Sequence, residues 1–128
     1  MTSPRRLGPT LALLVVMAAC DLRPEPRPGV AAGPVPADLT DGERLFTASC
    51  ARCHGVRGTG TDTGPPLVHV IYEPSHHGDY AFQRAARFGV AAHHWSFGNM
   101  PAVDGVDSAA VTRITAYVRW LQRGAGIE

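Results

Sequence analysis

Apolar residues near the C-terminal end of the chain recur at steps of three and four residues. They are Val111, Ile114, Tyr117, Val118 and Leu121. This spacing places them on one face of an α-helix, so it predicts an amphipathic helix. Asp107 is expected to cap the N-terminus of this helix, and Gly124 is expected to end it.

Another amphipathic helix is predicted shortly before the middle of the chain. Thr40 and Glu43 have the spacing of a capping box, in which the Thr40 side chain would cap the helix. Leu45 and Phe46 follow on roughly one face of it. Gly42 lies inside this helix, where glycine costs about 1 kcal/mol relative to alanine. That cost indicates a close crossing by another element.

A third helix is predicted from Asp79, as its cap, through Phe88, with Gly89 as the C-terminal stop. No stretch shows the strict alternation of apolar and polar residues that is typical of a half-buried strand. The chain also contains no internal repeat. The pattern of apolar positions therefore predicts an all-α protein.

Residues 1–19 have the composition of a signal peptide. Arg5 and Arg6 form a basic start, and the apolar run that follows ends in small residues. A membrane-spanning helix needs roughly twenty apolar residues, so this run is too short. The segment 17–20 (Met-Ala-Ala-Cys) resembles a bacterial lipoprotein box, which predicts lipid attachment at Cys20. A plain signal peptide with an incidental cysteine is the alternative.

A proline-rich linker is predicted at residues 20–37. Its prolines are interspersed with glycines and alanines, a composition that favours extended polyproline-like chain and cannot form a core. Residues 38–124 remain as one small domain. A domain of this size has a modest core and often needs a covalent or metal-based staple.

Basic and acidic residues are nearly balanced beyond the signal peptide. Without Arg5 and Arg6, ten arginines and no lysine accompany eleven acidic residues. The domain therefore lacks the strong positive charge that is typical of nucleic-acid binding, and no nucleic-acid partner is expected.

The strongest chemical signal is the sequence Cys-Ala-Arg-Cys-His at 50–54, which has the C-x-x-C-H spacing of c-type haem attachment. In such a site Cys50 and Cys53 each form a thioether with the porphyrin, and His54 binds the iron. A thioredoxin-like redox pair and half of a zinc site are the competing interpretations. No second cysteine pair completes a zinc site, and no βαβ pattern surrounds the motif. We therefore predict one haem c, attached covalently through Cys50 and Cys53.

Met100 is the candidate for the second axial ligand of the iron. It is the only methionine that remains after removal of the signal peptide, because the others are Met1 and Met17. It lies in a Gly-Asn-Met-Pro loop, where Gly98 permits unusual dihedrals and Pro101 restricts Met100. A methionine ligand raises the reduction potential of a haem. The alternative is that Met100 only fills space in the core.

Paired histidines offer rival ligands and a second candidate site. His93 and His94 shortly precede Met100, and ligation of the iron by either would lower its potential. Otherwise they lie at the surface beside the haem pocket, or one of them binds a propionate. A second metal site, for copper as an example, would combine them with His76, His77, Asp79 and Tyr72.

Several short segments resemble, in their order along the chain, the class I cytochrome c family. Besides the C-x-x-C-H motif they are Asp41-Gly42-x-x-Leu45-Phe46, Gly64-Pro65-x-Leu67, Gly98-Asn99-Met100-Pro101 and Tyr117-Val118-x-Trp120-Leu121. The resemblance covers most of residues 39–123. It implies a small all-α class I cytochrome c fold with three to five helices around one covalently bound haem. It also implies that the first and last helices cross, with Gly42 and Phe46 meeting residues 117–121. The Pro65 carbonyl is further expected from the resemblance to accept a hydrogen bond from Nδ1–H of His54.

The predicted function is the transport of single electrons with His54 and Met100 as iron ligands, not catalysis on a small-molecule substrate. The expected partners are proteins that bind transiently, such as a respiratory complex, an oxidase, a reductase or a dehydrogenase. A lipid at Cys20 would hold the exported domain on the periplasmic side of a bacterial membrane. Asp21, directly after the lipidated cysteine, favours the inner membrane.

Two alternative functions stay open. In the first, the protein is a haem enzyme or a gas sensor in which Met100 is labile and His93 or His94 lies on the distal side of the iron. In the second, it is a copper-binding accessory protein that uses His76 and His77.

Overall fold

The computed structural model describes residues 33–128, and this part of the chain is helical. Its helices are α1 (Thr40–Ser49), α2 (Ala51–His54), α3 (Asp79–Phe88) and α4 (Ser108–Gly124). No β-strand occurs in this range, so the predicted all-α fold with three to five helices is confirmed. None of these helices combines the length and the apolar composition that crossing a bilayer requires. The predictions for the signal peptide, for Cys20 and for the linker up to residue 32 lie outside the described residues.

Helices α1 and α4 pack closely against each other and form the centre of the fold. Gly42 of α1 touches α4 so closely that a Cβ atom there would overlap the backbone carbonyl oxygen of Arg113. One turn later, the ring of Phe46 packs on that of Tyr117, with centroids 5.6 Å apart. The predicted close approach at Gly42 and the predicted contact of Phe46 with the last helix are both confirmed. The buried core around this contact consists of Phe46, Val68, Ile114, Tyr117, Val118 and Leu121.

Replacement of Gly42 tests this helix contact. We expect Gly42→Ala to lower the free energy of unfolding by about 2 kcal/mol, because overpacking of a tight contact is costly and outweighs the better helix propensity of alanine. The atom that the new methyl group meets belongs to the backbone of α4, so the whole helix would have to move. Urea denaturation measures the change. Thr47→Ala, at an exposed position of α1, is the control and should alter stability by less than about 0.5 kcal/mol. Equal stability of Gly42→Ala and wild type would contradict the expectation.

The predicted ends of α4 and the predicted end of α3 are confirmed. The Asp107 carboxylate accepts a hydrogen bond from the backbone N–H of Ala110 at 2.7 Å, so Asp107 caps α4. The same helix ends at Gly124. Gly89 ends α3 with a φ of 73°, a left-handed value that glycine adopts without strain.

Two predicted caps are wrong. Thr40 is the first residue of α1 and not its cap, because a 3₁₀ turn at Ala37–Leu39 precedes it and the Thr40 hydroxyl donates to the Ala37 carbonyl oxygen (2.8 Å). Asp79 is likewise the first residue of α3, and its side chain caps nothing. Its carboxylate instead accepts a hydrogen bond from Nε of Arg119 at 2.9 Å. In both cases the side chain forms a hydrogen bond with another residue, Ala37 or Arg119, instead of capping the helix, and the sequence pattern does not reveal that partner.

Candidate functional site

Cys50, Cys53 and His54 lie at the junction of α1 and α2. The backbone at Cys50 departs from helical values (φ −120°) and divides the two helices, yet the amide of His54 still donates to the Cys50 carbonyl at 2.9 Å. One turn of chain therefore brings the two thiols and the imidazole together. All three side chains line one cavity. Both thiols are free of disulfide bonds.

The imidazole of His54 is buried and oriented by one hydrogen bond. Its Nδ1 lies 2.9 Å from the Pro65 carbonyl oxygen, and because a carbonyl only accepts, Nδ1 donates. The predicted contact with Pro65 is thus present, and it leaves the lone pair of Nε2 available for a metal. Burial lowers the pKa of His54, while the bond to Pro65 acts in the opposite direction. The neutral form, which is the form that binds metals, is favoured.

The loop after the motif lies directly against it and positions Pro65. Gly64 packs on the Cys53 carbonyl, where a Cβ atom would come within 2.6 Å of the oxygen. The Thr61 hydroxyl donates to the same oxygen at 2.6 Å. The amide of Gly60 donates to the His54 carbonyl, also at 2.6 Å. These contacts hold the Pro65 carbonyl in register with the imidazole.

The chemistry of the Cys50 thiol argues against a thioredoxin-like redox pair. Burial, with a smaller contribution from Cys53, raises the pKa of Cys50 to about 11. Redox-active C-x-x-C motifs depend on the opposite shift, because the thiolate is the reactive species. In the folded chain Cys50 therefore stays protonated near neutral pH.

Met100 lines the same cavity as the motif and is held there through its backbone. Its N–H donates to the Val90 carbonyl and its carbonyl accepts from the Val90 N–H, both at 2.9 Å. Gly89 lies so close that a Cβ atom would overlap the Met100 carbonyl oxygen. The Asn99 side-chain oxygen closes the loop by accepting from the Ala92 amide at 2.9 Å. The end of α3 therefore anchors the Met100 loop.

The cavity between the motif and the Met100 loop has a volume of about 750 Å³. This volume falls in the range of roughly 300–1,000 Å³ that is common for cofactor sites. Aliphatic and aromatic side chains from several elements contribute most of its walls. They include Leu67, Phe82, Ala85, Val103, Val106 and Ile114.

Trp95 and Tyr72 place polar groups in the wall of this cavity. Nε1 of Trp95 is buried and meets no acceptor with hydrogen-bond geometry. Burial raises the pKa of the Tyr72 hydroxyl, and the neighbouring Trp95 indole lowers it to a smaller extent. Because the neighbouring Tyr72 hydroxyl is not aligned as an acceptor, and a buried donor without an aligned acceptor is costly, the Trp95 N–H is suited to an acidic group of a bound cofactor.

The paired histidines meet at the edge of the cavity. His77, His93 and His94 line it, and Nε2 of the exposed His76 lies 3.3 Å from Nε2 of His94. Partial desolvation and the other three imidazoles lower the pKa of His94. Tyr72 joins the group only through its ring, which packs on His77 with centroids 5.1 Å apart.

Asp79 does not join these histidines, contrary to the prediction, because its carboxylate pairs with Arg119. Arg119 and Gln122 are two buried polar residues of α4 that the sequence reasoning missed. Both donate to the Tyr72 carbonyl, at 2.6 and 3.1 Å, and so attach the loop before α3 to the core. Their three-residue spacing within the apolar face of α4 is the signal that could have identified them.

The residues of this cavity fit haem c. Two thiols one helical turn apart, an imidazole with a free Nε2 and a thioether border an apolar cavity of cofactor size. Imidazole and thioether are ligands that haem iron takes in c-type cytochromes. The buried Trp95 N–H offers a donor for a carboxylate of the same group.

A comparison with protein-family models gave a match to the family described as Cytochrome c, over residues 39–122. Comparisons with curated proteins and with solved structures gave no match. The family match covers well over half of the chain and contains the C-x-x-C-H motif, the Pro65 contact and Met100. Members of this family bind covalently attached haem c, and the C-x-x-C spacing of Cys50 and Cys53 is that of its attachment site. This chain belongs to the cytochrome c family.

Proposed function

We propose that this cytochrome c carries single electrons between protein partners, with haem attached through Cys50 and Cys53 and its iron held by His54 and Met100. When bound, haem c supplies the iron that takes up and releases one electron. The observation that carries the proposal is that all four of these residues border the same largely apolar cavity.

His54 is suited to bind one side of the iron and to stay bound. The hydrogen bond from Nδ1 to the Pro65 carbonyl fixes the ring and increases the basicity of Nε2. Gly64 packs on Cys53, so the neighbouring Pro65 carbonyl cannot move away from the imidazole unless the attachment motif moves too. A fixed ligand lowers the structural change that accompanies each change of oxidation state.

The contacts of the Met100 loop favour Met100 over the neighbouring histidines as the second ligand. The Met100 backbone is paired on both sides with Val90, and because this pairing uses only backbone atoms, it leaves the thioether available to the iron. Nδ1 of His93 donates to the Ala91 carbonyl at 2.8 Å. His94 contacts His76 at 3.3 Å. His94 is therefore engaged with another ring at the edge of the cavity, whereas the bond of His93 orients its ring beside Ala91 and leaves its Nε2 free.

The role of carrier follows from two filled ligand positions inside apolar walls. Neither position would be open to a substrate, and the mostly apolar lining would limit the contact of water with the iron. Phe97 lines the cavity and keeps 39% of its surface exposed, so it offers an apolar contact surface beside the cavity. We assign the transient docking of redox partners to this surface, with the small interface that is typical of electron-transfer encounters.

Tethering to the periplasmic side of a bacterial membrane is part of the proposal and is supported by the sequence alone. The segment 17–20 provides the lipoprotein-like box, and Cys20 would carry the lipid. The proline-rich linker 20–37 would let the domain move between partners in the same membrane. A respiratory complex, an oxidase, a reductase or a dehydrogenase are the partner classes that this location provides.

Carbon monoxide tests the proposed function. We expect the purified haem-loaded protein to be low-spin in both oxidation states, to cycle reversibly by one electron, and to bind carbon monoxide only slowly when reduced, because both ligand positions are filled. The same protein in denaturant, where Met100 is released, is the positive control and should bind it rapidly. Rapid binding by the native reduced protein would overturn the carrier proposal and favour the enzyme or sensor alternative with His93 or His94 on the distal side.

A further inference from the structure

We propose that His76, His77 and His94 together bind one divalent transition-metal ion, Zn²⁺ or Cu²⁺, at the edge of the haem cavity. Each of the three imidazoles offers one ring nitrogen, and these nitrogens all lie within 4.8 Å of one another. Imidazole is a preferred ligand of both ions. This site shares no residue with the proposed iron ligands His54 and Met100, and it rests on the proposed function in that respect, because His94 bound to the iron would leave only two of the three imidazoles.

The spacing of two of the rings already matches a shared ion. Nε2 of His76 and Nε2 of His94 are 3.3 Å apart. Two nitrogens bound to one tetrahedral zinc at about 2.0–2.1 Å are separated by roughly 3.3–3.4 Å. An ion can therefore bind between these two rings with little movement of either.

The third ring is oriented as a ligand by its own hydrogen bond. Nδ1 of His77 lies 2.6 Å from the Ile71 carbonyl oxygen, so Nδ1 donates and Nε2 carries the lone pair. Histidines that bind metals commonly have this second hydrogen bond, which fixes the tautomer and the ring plane. The His77 ring is further held between Tyr72 and His94, with centroid distances of 5.1 Å to both.

The loop that carries His76 and His77 is fixed to the core. Arg119 of α4 is 7% exposed, and its guanidinium donates to the carbonyls of Tyr72 and His77 on both sides of His76. Nε of Arg119 also binds Asp79 at the start of α3. Ligands on a segment that is already ordered bind a metal without a large entropic cost.

His94 reaches the other two histidines from a different loop. This loop begins and ends at the Val90–Met100 pair, and it also carries His93, whose ring lies 4.3 Å from that of His94 and 6.0 Å from that of His77. Three imidazoles leave a fourth position for water or for His93. A bound ion would therefore link the loop before α3 to the loop that contains Met100.

Metal titration of the haem-loaded protein, without a polyhistidine tag, tests the proposal. Zn²⁺ and Cu²⁺ are each added in competition with a chromophoric chelator. We expect one ion per protein, with a Kd of about 1 μM or tighter, and with Cu²⁺ we expect an electron paramagnetic resonance signal that shows nitrogen ligands. Binding of either ion in this way supports the site, and failure of both to reach one-to-one saturation overturns it.

Two single variants and a matched control locate the site. His76→Gln removes an exposed ligand that does not line the cavity, and we expect it to weaken metal binding at least about tenfold while the haem spectrum stays unchanged. His94→Gln should have the same effect and replaces the first variant if that one fails to mature. Asp62→Asn is the control: Asp62 is exposed, lies outside the cluster, and its replacement should leave the affinity unchanged. Equal affinity of wild type and both cluster variants, or an equal loss in Asp62→Asn, would disprove the assignment.

Discussion

A variant with Cys50→Ser and Cys53→Ser contains no covalently bound haem, which is the largest effect that we expect from any change in this chain. A serine hydroxyl does not add to a porphyrin vinyl group as a thiol does, so both thioethers are lost. The single change Cys53→Ser leaves one thioether and should mature poorly. Without its haem the small domain also loses the group around which its apolar cavity closes, so little folded protein should accumulate.

Haem staining of a denaturing gel measures this loss directly, because only covalently bound haem remains with the denatured chain. Wild-type protein made in cells with working attachment machinery should stain strongly, Cys53→Ser weakly, and the double variant not at all. Cys20→Ser is the matched control, since it removes a cysteine outside the motif and should keep the stain. If the double variant retained its stain, covalent attachment through Cys50 and Cys53 would be refuted.

Met100→Ala is expected to keep the haem attached but to lower its reduction potential by about 0.1 V or more, within the span of roughly 0.8 V that axial ligands cover. The thioether favours reduced iron, and its loss removes that preference. The variant should also bind carbon monoxide rapidly in its native reduced state. Potentiometric titration followed by absorption gives the potential and the spin state in one experiment.

His93→Ala and His94→Ala serve as controls for this prediction. Both residues line the same cavity as Met100, so they change its wall without removing the proposed ligand. We expect the potential and the low-spin spectrum of both variants to stay close to those of wild type. If Met100→Ala left both properties unchanged and one histidine variant altered them, that histidine would be the ligand instead.

The features that could be predicted from the sequence depend on local chemistry. The C-x-x-C-H spacing requires only one helical turn, and the capping of α4 by Asp107 involves a residue three positions away. The close contact at Gly42 was also predictable. A glycine inside a helix lowers the stability of that helix, so its presence indicates a position where a larger residue does not fit.

The features that could not be predicted depend on partners distant in the chain. Asp79 has the local pattern of a cap, but Arg119, forty positions later, binds its carboxylate. In the same way, four candidate histidines were evident in the sequence, but the pattern could not show that His76 would meet His94 while Asp79 stayed apart. Such pairings depend on how the loop before α3 and the loop that contains Met100 pack in the folded domain. The local spacing of residues along the chain does not encode this packing.

The pairing of α1 with α4 joins the two ends of the domain, and this has a consequence for the order of events during biosynthesis. A ribosome adds about 5–20 residues per second, so the chain between His54 and Ser108 takes on the order of 3–10 s to make. Throughout that interval both thiols exist on a nascent polypeptide that lacks the helix against which α1 finally packs. The late synthesis of α4 thus keeps the native fold from closing until well after both attachment cysteines have been added to the chain.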